Sequence, residues 1–341
     1  METLLFKIIK IQYMDTGETN TAGGKLTSSP TERKGASSAL IGNACIMIAT
    51  IFWGVNVAFT KALIPEWMTS DGISAVRLIG GAILFWIASL FIKDRRIDHH
   101  DWIKLFAGGA IGLFGFIYLF VMSLRFGNAI DISIIMTLPP IFVILMEVLF
   151  SKRRPSLLEY LGIVVSFGGA VIIIASKGTT GAEASNRLLG DLLGIASAIC
   201  YAFYLYILEG PSKKYRPTNM LKWVFLFAAV PALCLVPGMQ DMPIMKTTEI
   251  TPWLEIGFIL FCPTFIAYFL VQPAIKDIGS ELVSIYQYLL PVFATLTAVL
   301  MGIEKLHWVQ VLAMAIIVAG MLLTNRGKNI KHTPSTAESG K

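Results

Sequence analysis

Charge is scarce in this sequence. Asp, Glu, Lys and Arg make up 15% of the 341 residues, against about 25% in an ordinary soluble domain, while hydrophobic residues make up 55%. A water-exposed surface needs more charge, which excludes a soluble globular enzyme. The net charge of +6 does not indicate nucleic acid, because the basic residues lie in short groups between apolar runs of bilayer length, about 20 residues. The predicted partner of these runs is therefore the lipid bilayer.

Cysteine and histidine are also sparse, with four of each. The cysteines lie singly inside apolar runs, without a CxxC or Cys/His cluster. The sequence lacks G-x-x-x-x-G-K-[ST], H-E-x-x-H and clustered carboxylates, which argues against an ATP-driven pump, a zinc protease and a Mg²⁺-dependent transferase. His99, His100 and Asp101 lie in a short connection, which we interpret as a solvated loop. We predict no metal and no cofactor, and expect any coupling chemistry to use carboxylates.

Long apolar segments recur along the chain and predict an all-α membrane protein with ten transmembrane helices. Strands of an outer-membrane barrel would alternate apolar and polar residues, whereas these segments contain continuous apolar runs. The predicted helices cover residues 38–60, 72–92, 103–124, 129–150, 157–176, 188–209, 219–238, 254–275, 280–302 and 307–325.

The distribution of basic residues predicts the orientation. With the polar segment 1–37 inside, 21 of the 28 basic residues fall on that side, six on the other, and Arg77 lies within a helix. The positive-inside rule then places both termini in the cytoplasm and the protein in the cytoplasmic membrane. Residues 1–37 and 326–341 are predicted to be cytoplasmic tails, the first of them disordered.

The two halves of the chain resemble each other. An offset of 151 residues pairs Trp102 with Trp253, Pro140 with Pro291 and Gly169 with Gly320 without a gap, and an offset of 148 pairs Trp53 with Tyr201 in the first helices of each half. Each half would then be a five-helix repeat, over residues 38–176 and 188–325. Because five is odd, the second repeat must cross the membrane in the opposite sense, an arrangement typical of secondary transporters.

The chain also resembles the EamA-type family of the drug/metabolite transporter superfamily, over roughly residues 38–325. The resemblance is carried by short motifs: Phe52-Trp53-Gly54, Ala75-Val76-Arg77-Leu78, Leu290-Pro291-Val292-Phe293, Met301-Gly302-Ile303-Glu304, Gln310 and Ala319-Gly320. It implies ten helices in two inverted repeats, and export of a small organic metabolite or amino-acid-like solute. The matching first-half positions of Gly302 and Glu304 are Ser151 and Arg153, so the glycine-glutamate pair is present in the second half only.

Polar residues and prolines share one face of two matched helices. Ser133, Thr137 and Pro140 lie at i, i+4 and i+7 of the fourth helix, and the ninth helix repeats the spacing. Proline removes a backbone hydrogen bond and bends the helix, so these faces should border protein or a wet cavity rather than lipid. Small polar residues and proline also simply pack membrane helices, which is the alternative. The second-half candidates for the substrate path are Ser284, Gln287, Tyr288 and Pro291.

An aromatic wall is the second candidate feature. Tyr201 and Tyr204 share a face of the sixth helix, and the repeat maps Trp53 and Asn56 of the first helix onto them. Aromatic walls with a few hydrogen-bonding tips suit amphipathic organic solutes. The alternative is an aromatic belt at the membrane interface.

Charged residues inside the predicted helices are the third candidate feature. Arg77 needs a partner or a path to water, and Asp131 lies within reach at the same depth; Asp191 and snorkelling to the headgroups are the alternatives. Glu147 lies on the Ser133 face but about 24 Å deeper than Asp131, at 1.5 Å per residue. It is a candidate for proton coupling or, in the interpretation that we favour, a partner for Arg153.

We therefore predict a secondary transporter that exports a small organic solute by alternating access. The outward direction follows from the family resemblance alone. A channel or a non-transporting membrane receptor is the main alternative, and an intramembrane enzyme is the weakest. The expected partners are the solute and the bilayer, with a homodimer left open.

Overall fold

The computed structural model describes residues 30–332 apart from 65, 93–95, 151–155 and 176–181. Its chain divides into two units, Met1–Ser38 and Ala39–Lys341, and the packing below is that of the second. Most of the predicted tails, the basic segment 152–154 and most of the predicted outer loop at 177–187 lie outside the described residues.

The described part of the chain is helical and contains no strand. The helices without interruption are α1 (Pro30–Leu63), α2 (Ser70–Leu90), α5 (Leu157–Ala175), α6 (Ala182–Lys214), α7 (Pro217–Ala232) and α10 (Trp308–His332). The interrupted helices are α3 (His99–Ala107, Gly108–Leu113, Phe114–Phe126), α4 (Ala129–Ile135, Pro139–Phe150), α8 (Thr251–Ile259, Leu260–Ile266, Ala267–Tyr286) and α9 (Gln287–Leu289, Leu290–Leu300). Short 3₁₀ turns follow α7 at Leu233–Leu235, Met239–Asp241 and Pro243–Lys246.

Capping residues and prolines mark the first residues of two helices. Thr69 caps α2, its hydroxyl oxygen accepting the Gly72 N–H at 3.1 Å, and Pro217 opens α7 at a position that needs no N–H donor. Several predicted boundaries are wrong: α1 begins eight residues early, α6 and α10 continue past residues 209 and 325 to Lys214 and His332, and residues 276–279, predicted to connect two helices, are helical. No proline lies in that short segment, so nothing local forces the helix to end there.

The surface of the bundle is apolar. Phe91, Leu90 and Ile103 are 84%, 78% and 76% exposed, as are many other large hydrophobic side chains. Within the described residues, seven helices are long and apolar enough to cross a membrane, and the helices at Leu157–Ile173, Gln287–Leu300 and Trp308–Thr324 are apolar but shorter. Apolar surface of this extent requires lipid around it, so the protein is a multi-pass membrane protein.

The interruptions of the helices occur in matched pairs. The break in α4 at residues 136–138 corresponds, at the offset of 151, to the 3₁₀ turn Gln287–Leu289 of α9. Each lies just before one of the paired prolines, Pro140 and Pro291, so both helices are interrupted where the bends were predicted. The π-helical turn Gly108–Leu113 of α3 likewise overlaps, at the same offset, the π turn Leu260–Ile266 of α8. Such turns are common at functional sites because they redirect side chains and backbone carbonyls.

Glycine allows α5 and α10 to touch backbone to backbone. A Cβ on Gly162 would lie 2.4 Å from the Gly320 carbonyl oxygen, and one on Gly169 would lie 2.9 Å from that of Ala313. The Ser166 hydroxyl donates to the Ile317 carbonyl at 3.1 Å. As the residue number rises in one helix it falls in the other, so the two helices run antiparallel. We call this contact the α5/α10 seam.

Several connections meet at one end of the bundle. The Ile244 N–H donates to the Trp67 carbonyl at 3.1 Å, which joins the α7–α8 connection to the α1–α2 connection. Lys61, in the last turn of α1, donates to the carbonyls of Leu124 and Gly127 at 2.7 and 2.8 Å, which adds the α3–α4 connection.

A second set of contacts joins the α2–α3 connection to the end of α6. The Tyr215 hydroxyl and the Lys214 ammonium donate to Asp101 Oδ2 at 2.7 and 2.8 Å, and Lys214 also pairs with Asp98. His99 and His100 are exposed, but Asp101 is buried. The interpretation of this run as a solvated loop is therefore wrong: all three residues form the first turn of α3, the histidines are solvated, and the carboxylate of Asp101 joins two helix ends.

Candidate functional site

A buried cavity of about 30 Å³ lies where the breaks of α4 and α9 face α1, α2, α3 and α6. Four of the predicted substrate-path residues line it, namely Trp53, Asn56, Tyr201 and Gln287. Its other lining residues are Val57, Arg77, Phe116, Phe120, Met136 and Leu290. We call this space the central cavity.

The π turn of α8 holds two of the lining side chains in place. Trp53 Nε1 donates to the Pro263 carbonyl at 3.0 Å, and Arg77 Nε donates to the Thr264 hydroxyl at 3.0 Å. The Thr264 hydroxyl in turn donates to the Ile259 carbonyl, five residues earlier, at 2.8 Å. The irregular backbone of α8 thus positions a wall residue and the cation of the central cavity.

Tyr201 forms the aromatic wall with its neighbours. Its ring centroid lies 4.5 Å from that of Phe116 and 6.3 Å from that of Trp53, in an edge-to-face arrangement with the latter. Gln287 Nε2 donates to the Tyr201 hydroxyl at 3.3 Å, so the bend of α9 is tied to α6 across the cavity. Tyr204 stacks behind Tyr201 at 5.9 Å and does not line the cavity.

Arg77 is 2% exposed, and its side chain reaches the central cavity. The Arg77 side chain donates to Thr264 rather than to the predicted Asp131, which accepts from Gln310. The physical reason is packing: α2 lies against α3, α7 and the π turn of α8 rather than against α4. A pair with Asp191 stays a prediction, whereas the third possibility is wrong, because a side chain enclosed by protein does not snorkel to the headgroups.

Asp131 belongs instead to a polar cluster at the start of α4. Gln310 Nε2 donates to Asp131 Oδ1 at 2.7 Å, while Gln310 Oε1 accepts the His307 N–H at 2.8 Å. Glu304 accepts the N–H groups of Ala129 and Ile130 at 2.6 and 3.1 Å, so its carboxylate caps α4. Burial raises the pKa of Glu304 above its ordinary value, although the two backbone N–H groups and Lys61 favour the charged form.

The backbone conformation of Gly302 lets Glu304, two residues later, reach the start of α4. Its φ of 68° lies in the left-handed region that favours glycine, and it follows the last turn of α9. The chain reverses there, and Glu304 two residues later points back at α4. The motif that carries the family resemblance is therefore a helix cap in this chain.

The remaining predicted residues lie outside the cavity lining. The hydroxyls of Ser133 and Thr137 donate to carbonyls of their own helix, both at 2.6 Å, so the predicted face of α4 does not present them to the central cavity. Pro140 and Tyr288 are half-buried and Pro291 is buried, next to the breaks. Glu147 is half-buried and does not line the cavity, and its role in coupling stays a prediction. The side chain of Ser284 lies outside the described residues.

Sequence reasoning missed the apolar half of the lining. Phe116, Phe120, Met136 and Leu290 resemble any other apolar helix residue, so no pattern separates them from lipid-facing or core positions. Thr264 carried one usable signal, since it follows Pro263 in mid-helix, where proline disturbs the hydrogen-bond ladder.

Comparison with known proteins agrees with this architecture. The EamA-like transporter family matches twice, at residues 40–175 and 188–326. The "Uncharacterized transporter YyaM" of Bacillus subtilis (strain 168) is 24% identical over 63% of this chain and 70% of that protein. An "Uncharacterized transporter" of Archaeoglobus fulgidus is 22% identical over 82% of this chain and 97% of that protein.

Two further similarities concern location and fold. The "Uncharacterized inner membrane transporter YedA" of Escherichia coli (strain K12) is 22% identical over 58% of this chain and 61% of that protein. A crystal structure with 20% sequence identity has a TM-score of 0.58 and covers 87% of this chain and 99% of that chain, which supports the fold. The relatives are named as transporters rather than enzymes, and the family matches most of the chain: this protein belongs to the EamA-like transporter family and is a membrane transporter.

Proposed function

We propose that the protein is a secondary transporter that exports a small organic solute across the cytoplasmic membrane by alternating access. The observation that carries the proposal is the central cavity, a buried, partly polar space at the level where α4 and α9 break. A cavity of this kind between two broken helices is where secondary transporters of repeated architecture hold their substrates.

The proposed architecture has ten membrane-spanning helices in two inverted five-helix repeats, residues 38–176 and 188–325. The seven long apolar helices and the three shorter ones together supply the ten. Two matches to one family support the duplication. The α5/α10 seam supports the inversion. At the offset of 151, Gly162 corresponds to Ala313 and Gly169 corresponds to Gly320. The contact of Gly162 with Gly320 therefore has a counterpart in the contact of Ala313 with Gly169, as expected for two antiparallel copies.

Alternating access would use the breaks as hinges. A cavity of about 30 Å³ has room for roughly two or three water molecules, so an organic solute requires the cavity to expand. The backbone breaks of α4 and α9 lie at Met136 and Gln287, which line the cavity, so movement of either half-helix changes its volume. In the proposed orientation, the Glu304 cap lies at the outer end of the bundle and the Asp101 contacts lie at the cytoplasmic end. The Glu304 cap would break when the cavity opens outward, and the Asp101 contacts would break when it opens to the cytoplasm.

Reconstitution tests the proposed transport. Metabolite comparison of cells with and without the protein selects candidate solutes, and proteoliposomes loaded with each are assayed for counterflow of the labelled solute. We expect saturable counterflow that is absent in empty liposomes. Flux without saturation would indicate a channel, and the absence of flux for every candidate would indicate a receptor; either result contradicts the proposal.

Thiol labelling tests the proposed orientation, with both termini in the cytoplasm. In a variant without the four native cysteines, Glu249→Cys should react with an impermeant thiol reagent applied to intact cells, because the exposed α7–α8 connection would face outward. Lys213→Cys, exposed at the end of α6, should react only after the cells are opened. The reverse pattern would contradict the proposed orientation.

A further inference from the structure

Arg77 brings a positive charge to the central cavity, and none of the described residues that line the cavity carries a carboxylate. Thr264 accepts from Nε, while no acceptor in the described part of the chain reaches Nη1. A buried guanidinium without a counter-charge is unfavourable in a low-dielectric interior. The side chain is 2% exposed and lines the cavity, so an anion that enters the cavity can bind to it and supply the counter-charge.

The surroundings of Arg77 suit one negative charge on an organic body. Among the described residues lining the cavity, Arg77 is the only cation, which matches a monoanion better than a phosphate dianion. Gln287 Oε1 also has no partner in the described structure, and its amide can rotate to present its N–H₂ donors. Trp53, Tyr201 and Phe116 offer flat apolar surface beside these polar atoms.

We propose that the central cavity binds the carboxylate of a monoanionic organic acid, with Arg77 as the anion-binding residue and the aromatic wall around the apolar body. This inference rests on the proposed function and adds the class of substrate to it. Thr264 is the positioning residue, because it binds Nε and leaves Nη1 without a partner and so available to the ligand.

Binding of matched probe pairs tests the proposal. Purified protein in lipid nanodiscs is titrated at pH 7 and constant ionic strength with acetate and acetamide, benzoate and benzamide, and 3-phenylpropionate and 3-phenylpropionamide. Each amide has nearly the shape of its acid without the charge. For at least one pair we expect the carboxylate to bind about 10- to 100-fold more tightly, the range for a hydrogen bond to a charged group.

Three variants assign the preference to the cavity. Arg77→Gln should bind both members of the pair alike, whereas Arg125→Gln, which changes an exposed arginine of α3, should keep the preference. Gln287→Glu places a carboxylate on the lining of the same small cavity, so it should abolish anion binding and raise the thermal midpoint of the ligand-free protein. This last variant keeps the test decisive if Arg77→Gln does not fold.

Other outcomes overturn the inference. They are equal binding of acids and amides in every pair, a preference that persists in Arg77→Gln or Gln287→Glu, and saturation by chloride with no competition from the organic acids. The transport assay separates this failure from that of the proposed function. Saturable counterflow of a neutral or cationic solute without carboxylate binding would refute only the proposed anion site. Carboxylate binding without counterflow of any solute would refute only the proposed transport.

Discussion

The Glu304 cap can be tested by its removal. In Glu304→Ala, the N–H groups of Ala129 and Ile130 lose their shared acceptor. Both residues are fully buried, so water does not readily replace the carboxylate. A hydrogen bond to a charged group contributes about 1.5–3 kcal/mol and a typical N-cap about 1 kcal/mol. Because Glu304 is itself half-buried, we place the local cost at about 2–4 kcal/mol, between one cap and two charged bonds.

Hydrogen exchange at the start of α4 measures this cost directly. A loss of 2–4 kcal/mol should accelerate amide exchange at residues 129–130 by roughly 30- to 700-fold, since each 1.4 kcal/mol is a factor of ten. Glu304→Gln keeps one acceptor and should fall between the parent and Glu304→Ala. Glu249→Ala, at an exposed position in the α7–α8 connection, is the control and should exchange like the parent. Unchanged exchange in Glu304→Ala, or equal acceleration in the control, would refute the capping role.

Three more predictions concern packing, bending and pH. Gly169→Ala should lower the thermal midpoint by several degrees, because its Cβ would lie 2.6 Å from Ile317, whereas Gly168→Ala meets no atom within 4 Å and should not; equal midpoints would contradict the seam. Pro291→Ala restores an N–H at the break of α9. It should lower the maximal rate of counterflow by a larger factor than it raises the half-saturation concentration, and an unchanged rate would show that the break has no role in transport. Because burial raises the pKa of Glu304 above 4.5, the folded state binds the extra proton, so the unfolding free energy of the parent relative to Glu304→Gln should decrease as pH rises from 4.5; an increase would contradict the shift.

Much of the helical framework follows from the sequence. Continuous apolar runs of bilayer length predicted the positions of the helices, and Pro140 and Pro291 predicted the breaks before them. Helix ends were less predictable, because α1 extends to Pro30 through polar residues that no apolar pattern marks. The π turns were not predicted, since a glycine or proline in an apolar run does not say how the backbone absorbs it.

The candidate site was predictable only in part. The repeat matched Trp53 with Tyr201 as candidates for the substrate path, and both line the cavity. The bond of Arg77 to Thr264 was not predicted, because depth in the membrane identifies which residues lie at one level but not which helices are neighbours. Ser133 and Thr137 do not line this cavity; their hydroxyls bond the backbone of their own helix, which spacing alone does not reveal.

The α5/α10 seam limits which parts of the molecule can move. Backbone-to-backbone contact at Gly162 and Gly320 leaves no side chain between the helices to rearrange, and a shift of one turn would drive larger residues into the same gap. In the proposed transport cycle this pair would therefore stay fixed. The broken helices α4 and α9, which carry part of the wall of the central cavity, would move against it.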